Sequence, residues 1–397
     1  MEKESKLNAI ELNELRHEVE YIFGKQIVSY NDCILLAHNL ENILSTQTLR
    51  RFFKLITSKS GPGVFTLDTL SRYCGYKNFD KFRSIQANQD LISYFGSDDS
   101  DENYCNKAEE LCNRVMSSPK ILVTTHHQLM EFPMVRKFFL EHYPIRDMLG
   151  TVYSQYFLAY LKYNKNDEAK IFAYGFLFKS AFLQENEELI HLYFNKIKEI
   201  DLSSDVFVVP AGLKYGVQLL YADYVKDDAY FKIVFSEMKK WRKKYIQKSE
   251  KSACSFEYSV LELLIFTNRV TEIQFLIDNN TEQIFPDRHF VSEERKQTHR
   301  EVWKILCAAG YQKIGNKDKC LHYLKQIDLT NLGIGWNKYY SILYYLICLQ
   351  NPEFNSEVDS YTKLLSLIDE TYFYYYHTSI QEIFKNDKSR SIIKKLT

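Results

Sequence analysis

The segment Ser45–Lys54, STQTLRRFFK, carries the residues of this 397-residue chain whose types and spacing best suit molecular recognition. Thr46, Gln47, Thr48, Arg50, Arg51 and Lys54 have side chains that reach base edges and phosphate oxygens. Leu49, Phe52 and Phe53 stand at i, i+3 and i+4, so a helix gathers them on one inner face and turns the polar set outward. Ser45 precedes the run, where its hydroxyl can accept an orphan backbone N–H and start the helix. The spacing predicts a short helix with a nucleic-acid-facing surface. The competing reading is a solvated helix that happens to hold two arginines.

Other clusters offer less. His126 and His127 are adjacent, so on a helix they point about 100° apart and cannot easily share one ion. No HExxH and no CxxC accompanies them, and no metal is expected. Asp287, Arg288 and His289 sit together in FPDRHF, which reads as a solvated connection. KYNKNDEAK (162–170) and KKWRKK (239–244) are charge runs of the kind that usually face solvent. The second is basic and carries Trp241, so it could touch nucleic acid or an acidic partner. Walker, GxSxG and kinase signatures are missing, as is a GxGxxG after a strand. Neither catalytic residues nor a cofactor are expected, and the chain does not read as an enzyme.

The elements that must position these residues read as helices. Gly (13) and Pro (7) are scarce for the length, which starves the chain of tight turns and favours long helices over many strands. The 30 Tyr and 27 Phe suit wedging between neighbouring helices. Formal net charge is zero, so any surface that attracts nucleic acid must be local. No apolar run is long enough for a membrane span, and the charged start, MEKESKLNAIELNE, lacks the apolar core of a signal peptide. The eight cysteines form no CxxC pair and mostly sit within apolar helical patterns, as reduced core residues of a cytoplasmic protein would.

In chain order, helices are expected over 7–23, with Gly24 as C-cap, and over about 31–39, capped by Ser29 or Asn31. The Ser45–Lys54 helix follows, then a loop at 58–63, a helix over 66–76 that stops at Gly75, and a helical turn at Asn78–Phe82. Residues 1–44 hold four Lys/Arg and eight Asp/Glu, a net of −4. Residues 45–85 hold eight Lys/Arg and two Asp/Glu, a net of +6, so the sign changes at the proposed recognition helix. A DNA-facing surface needs that asymmetry.

Residues 31–82, about an eighth of the chain, resemble the Cro-like, or lambda-repressor-like, helix-turn-helix class. The matching pieces are Ala37 at the helix crossing, Leu49 on the inner face of the second helix, and LDTLSRYCGY where the class has ALxxLAxxLG. The class places Gly four residues after the alanine, where the turn needs positive φ. This chain has Glu41 there, in a connection about two residues longer.

SDDSDEN (97–103) reads as an acidic linker within 97–118, which separates the domain at 1–96 from one at 119–397. Among the helices expected beyond it are 133–142, 145–163, 166–184, 210–225, 228–247 and 293–314. Two segments resemble tetratricopeptide repeats: 303–327, through Ala308, Tyr311, Gly315, Cys320, Leu324 and Ile327, and 156–178, through Tyr160, Ala169 and Ala173, with Asn164 at the turn. The fold class expected is all-α, a helix-turn-helix domain followed by a divergent α-solenoid with a concave face. Together the resemblances imply a cytoplasmic transcriptional regulator that binds duplex DNA through Thr46–Lys54. Its solenoid would take a peptide, protein or small ligand in its groove or form a homodimer. The alternative is a non-enzymatic scaffold whose N-terminal domain docks a protein.

Overall fold

The structure is a computed structural model that describes residues 2–58, 61–83, 111–116, 123, 126–249, 252–281, 293–351 and 357–386. Regular structure among them is helical, and no strand occurs there. Backbone contacts divide the chain into two compact units, Met1–Ser97 and Asp98–Thr397.

Unit 1 holds α1 (Glu2–Phe23), α2 (Tyr30–Asn39), α3 (Thr46–Phe52) and α4 (Val64–Tyr73), with a helical turn at 79–83. Its core is one cluster. Leu15 and Val19 come from α1, Leu36 and Ala37 from α2, Leu49 and Phe52 from α3, Leu70 from α4, and Phe82 closes it. Gly24 ends α1 and Gly75 follows α4, both at positive φ, where glycine lacks a Cβ penalty. The start of α2 is a reciprocal cap. Ser29 Oγ accepts from the Asp32 N–H at 3.2 Å, and Asp32 Oδ2 accepts from the Ser29 N–H at 2.8 Å. Lys25 Nζ lies 2.6 Å from Asp32 Oδ1, and it and Ser29 hold that carboxyl well below the usual carboxylate range.

Unit 2 holds α5 (Ser154–Tyr163), α6 (Asp167–Leu183), α7 (Glu187–Lys198), α8 (Val208–Tyr224), α9 (Asp228–Ser249) and α10 (Phe256–Leu264). After them come α11 (Val270–Asp278), α12 (Glu293–Ile314), α13 (Lys317–Leu324), α14 (Asn337–Leu349), α15 (Glu357–Thr371) and α16 (Tyr375–Asn386). Buried residues lie on every side of α6 and α8, which mark the middle of the unit. Helix α8 packs closely on α10. A Cβ on Gly212 would stand 2.6 Å from Ser259 Cβ, and one on Gly216 would stand 2.9 Å from Leu263 Cδ1. Two glycines one turn apart therefore let these backbones meet.

The structure departs from expectation between 133 and 163. Pro133 opens a helical turn that widens into a π-helix, Arg136–Glu141. The chain then leaves the helix, apart from a 3-10 turn at Arg146–Met148, until α5 begins at Ser154. Pro144 has no N–H to offer a helix. Pro144, Ile145, Arg146 and Asp147 are nevertheless buried. Pro62 and Pro144 lie in connections, and Pro210 sits in the first turn of α8. Pro119, Pro286 and Pro352, the linker 97–103 and FPDRHF all lie outside the described residues. The described cysteines are free, and all but half-buried Cys74 are buried.

Candidate functional site

In unit 1, α2 and α3 pack together across the connection Leu40–Ser45. Glu41 and Asn42 take the left-handed conformation, at φ 53° and 58°. The Asn42 N–H donates to Ala37 O at 2.8 Å and the Glu41 N–H to His38 O at 2.9 Å, which closes the end of α2. So the turn takes positive φ at the position where Glu41 stands, without the glycine that would adopt it most easily. Ser45 Oγ accepts from the Thr48 N–H at 3.1 Å and starts α3. Leu49, Phe52 and Phe53 are buried, with the two phenylalanine rings packed edge to face at 5.1 Å.

The six residues singled out from the sequence do not behave alike. Gln47, Arg51 and Lys54 are exposed, while Thr46, Thr48 and Arg50 are half-buried. Thr48 Oγ1 lies 2.9 Å from Ser45 Oγ, so its hydroxyl is engaged in the cap. Arg50 packs its guanidinium 5.1 Å from the centre of the Tyr30 ring and donates to Gln47 Oε1 at 3.0 Å. Tyr30 thus aims Arg50 and leaves the Gln47 amide nitrogen outward. One boundary shifts: α3 stops at Phe52, and Lys54, at φ 58°, belongs to the turn beyond it. Arg16 Nε donates to Phe52 O at 2.5 Å, which fastens that end of α3 to α1. Neither Arg51 nor Lys54 has an ion-pair partner among the described residues.

In unit 2, α10, α12, α14 and α16 border an open groove of about 560 Å³. Leu343, Leu346 and Ile347 supply an apolar floor, and Asn268, Gln312 and Gln350 supply amides. Gln312 is wired to its neighbours: Nε2 donates to Gln350 Oε1 at 3.3 Å and Oε1 accepts from Asn351 Nδ2 at 2.9 Å. Such amides can exchange these partners for a ligand's N–H and C=O groups. Of the two segments noted for repeat-like spacing, 303–327 reaches this groove, through Ala309, Gln312 and Lys313 of α12. Ala308 is fully buried on α12, Tyr311 stacks on Tyr323 of α13 at 5.8 Å, and Gly315 makes the turn at φ 80°.

Sequence reasoning missed a charged cluster inside unit 2. Glu262 of α10 accepts at Oε1 from Arg146 Nε (2.6 Å), Lys179 Nζ (2.7 Å) and Tyr340 OH (2.6 Å). Its Oε2 accepts from Arg146 Nη2 at 3.2 Å. The Arg146 guanidinium lies 3.8 Å from the centre of the Trp336 ring. Burial alone would neutralise these groups. Arg146 and Lys179 instead hold Glu262 ionised, well below the usual range, and Glu262 raises Arg146. Lys179 shares the carboxylate with the stronger cation, so burial prevails and brings it down to about 8. Asp147 is buried beside them. Burial pushes it up to about 6, although Oδ1 accepts from the Tyr339 N–H at 2.8 Å, and Oδ2 has no hydrogen-bond partner. A lysine within IFAYGFLFKSAFL and a glutamate within SVLELLIF were the available signals, since a charge flanked by apolar residues on both sides of a buried helix needs a partner.

The His126 and His127 rings lie 4.3 Å apart, tilted by 38°, with His126 Nδ1 held 2.8 Å from Val123 O. Among the described residues no cluster of His, Cys, Asp or Glu could hold a metal ion, and no helix is long and apolar enough to cross a membrane. The chain matches no protein-family model, no curated protein and no solved structure.

Proposed function

We propose that this chain is a DNA-binding transcriptional regulator, with unit 1 docking on duplex DNA through α3 and unit 2 acting as a helical-repeat sensor or dimerisation module. The observation that supports it best is the α2–turn–α3 arrangement. Glu41 and Asn42 supply the positive φ of the turn, Leu49 and Phe52 anchor α3 in the core, and Gln47, Arg51 and Lys54 are left exposed. The excess of cations over residues 45–85 supplies the phosphate attraction such docking requires. Gln47 suits a bidentate pair with adenine once its Oε1 turns from Arg50 to the base, and Arg51 and Lys54 suit phosphates. The groove of unit 2 suits a ligand with both apolar and amide-like groups, such as a peptide.

Fluorescence anisotropy of the intact chain on duplex libraries tests this. Gln47→Ala is expected to cost about 1–3 kcal/mol at one operator position and relax preference there. Arg51→Ala is expected to weaken all sequences alike and flatten the salt dependence by about one unit of slope. If the intact chain binds no duplex at low salt, the reading fails.

A second reading draws on exposed apolar side chains around α2: Val28 (70%), Tyr30 (55%), Leu35 (50%) and Ile43 (55%). They suit a scaffold whose N-terminal unit docks a protein. Retained partner binding in Arg50→Ala/Arg51→Ala, with loss in Leu35→Asp, would favour it.

A further inference from the structure

The helix α9 of unit 2 is divided by charge. Its inner residues Phe231, Val234, Met238 and Tyr245 are buried, and Tyr245 OH fastens it to Val206 O at 3.0 Å. From Met238 to Ser249 the sequence holds five lysines and Arg242 but no carboxylate. The arginine is withdrawn. It pairs with the buried Glu257 carboxylate and donates through Nη2 to Asn279 O at 2.5 Å. Lys239, Lys240, Lys243, Lys244 and Lys248 are all exposed. None of them forms an ion pair with a described residue, although Glu168 lies near enough to feel Lys248. Three of the ammonium groups lie over aromatic rings instead. The Lys244 ammonium lies 4.0 Å from the Trp241 ring centre, Lys239 lies 5.2 Å from Phe235, and Lys248 lies 5.5 Å from Tyr245.

The five charges spread over about half of the helix circumference, with Lys239 and Lys248 on opposite sides, and those one turn apart repel one another at a cost of a few tenths of a kcal/mol per pair. A polyanion would relieve that repulsion. At 1.5 Å per residue, Lys239 to Lys248 spans about 13 Å. A duplex carries one charge per roughly 1.7 Å of axis, hence about four phosphates per strand over that length. Five lysines over that length are similar in number to the phosphates the helix would lie along. Lysine is depleted from protein–protein interfaces, which favour Arg, Met and exposed aromatics, whereas compact ammonium groups suit phosphate contacts that need no bidentate geometry. We propose that the Lys239–Lys248 face of α9 binds the sugar–phosphate backbone of duplex DNA, as a sequence-independent contact additional to α3. The proposal rests on the DNA-binding reading above.

The test uses the intact chain, a 40-bp duplex and a KCl series, followed by fluorescence anisotropy. Lys240→Gln/Lys243→Gln/Lys244→Gln should lower affinity about ten-fold or more near 0.1 M salt and reduce the salt slope by about two to three. Lys240→Arg/Lys243→Arg/Lys244→Arg should keep both, and circular dichroism and thermal melts should match the parent. Unchanged affinity and slope in the glutamine variant would overturn the proposal. If Arg50→Ala/Arg51→Ala abolishes binding while the glutamine variant binds like the parent, only this proposal fails. If the glutamine variant loses affinity while Arg50→Ala/Arg51→Ala does not, the α3 reading fails and this one stands. A parent that binds no duplex at low salt overturns both. Binding of polyglutamate, but not duplex, to the lysine face would transfer it to an acidic protein partner.

Discussion

Glu262 satisfies two buried cations with one carboxylate, and that imbalance decides which substitutions hurt. Glu262→Gln leaves Arg146 and Lys179 facing each other without an anion, which should cost about 3–5 kcal/mol in urea unfolding. Lys179→Met should cost far less, because Arg146 and Tyr340 still occupy the carboxylate. Equal losses from the two would contradict this division of labour. Asp147 makes a separate, pH-dependent contribution. Its ordinary value is 3.8 and its folded value is about 6, so between these the folded state binds more protons than the unfolded chain. Its contribution to stability therefore falls as pH rises from about 4 to about 6 and stays low above that, by up to ~3 kcal/mol. Asp147→Asn keeps the acceptor for the Tyr339 N–H and removes the titration. Relative to the parent, the variant should gain stability as pH rises through this window. A parent-minus-variant difference that is flat from pH 4 to pH 7 would refute the assignment.

At the scale of elements, the α2–α3 connection carries strain that the side chains do not need. Glu41, at φ 53°, bears a Cβ where glycine would be relaxed. Glu41→Gly should raise stability by about 0.5–1 kcal/mol, less whatever the unfolded chain gains in freedom. A fall in melting temperature would show that the glutamate side chain supports the turn. In unit 2, Ala308 is fully buried against its neighbours, and Ala308→Leu should cost about 1–3 kcal/mol by overpacking. These two elements were legible in the sequence for simple reasons. Ser45, Leu49 and Phe52 carry a cap and a helical period within eight residues, and α12 carries Val302, Ile305, Leu306 and Ala309 at helical spacing in its second half. The segment from Tyr143 to Tyr153 was not legible. Its apolar pattern permits a helix, and what overrides it is distant: Arg146 finds Glu262 116 residues away, and Asp147 finds the Tyr339 N–H 192 residues away. The same holds for Gly212 and Gly216. Glycine inside a helix reads as a weakness until the approach of α10 shows why no side chain fits.

For the whole molecule, the proposal joins a DNA-binding unit to a ligand-binding one, and thermodynamics constrains that union whatever the structural route. If a ligand in the groove of unit 2 changes DNA affinity by some factor, DNA must change ligand affinity by the same factor. Coupling of this kind is typically about 1–3 kcal/mol, or roughly 5- to 150-fold. The groove joins an apolar floor, Leu343, Leu346 and Ile347, to the amides of Gln312 and Gln350, so short peptides with apolar side chains are the first probes to titrate. Leu346→Lys places a charge on the floor and should abolish their binding, while DNA affinity without peptide stays at the parent value. Calorimetric titration of peptide into DNA-free and DNA-saturated protein should then give two affinities whose ratio equals the shift in DNA affinity seen with saturating peptide. Equal affinities in the two titrations would leave a binding groove but remove its regulatory role. The two units would then function independently, and the groove would serve recruitment of a partner, not control of DNA binding.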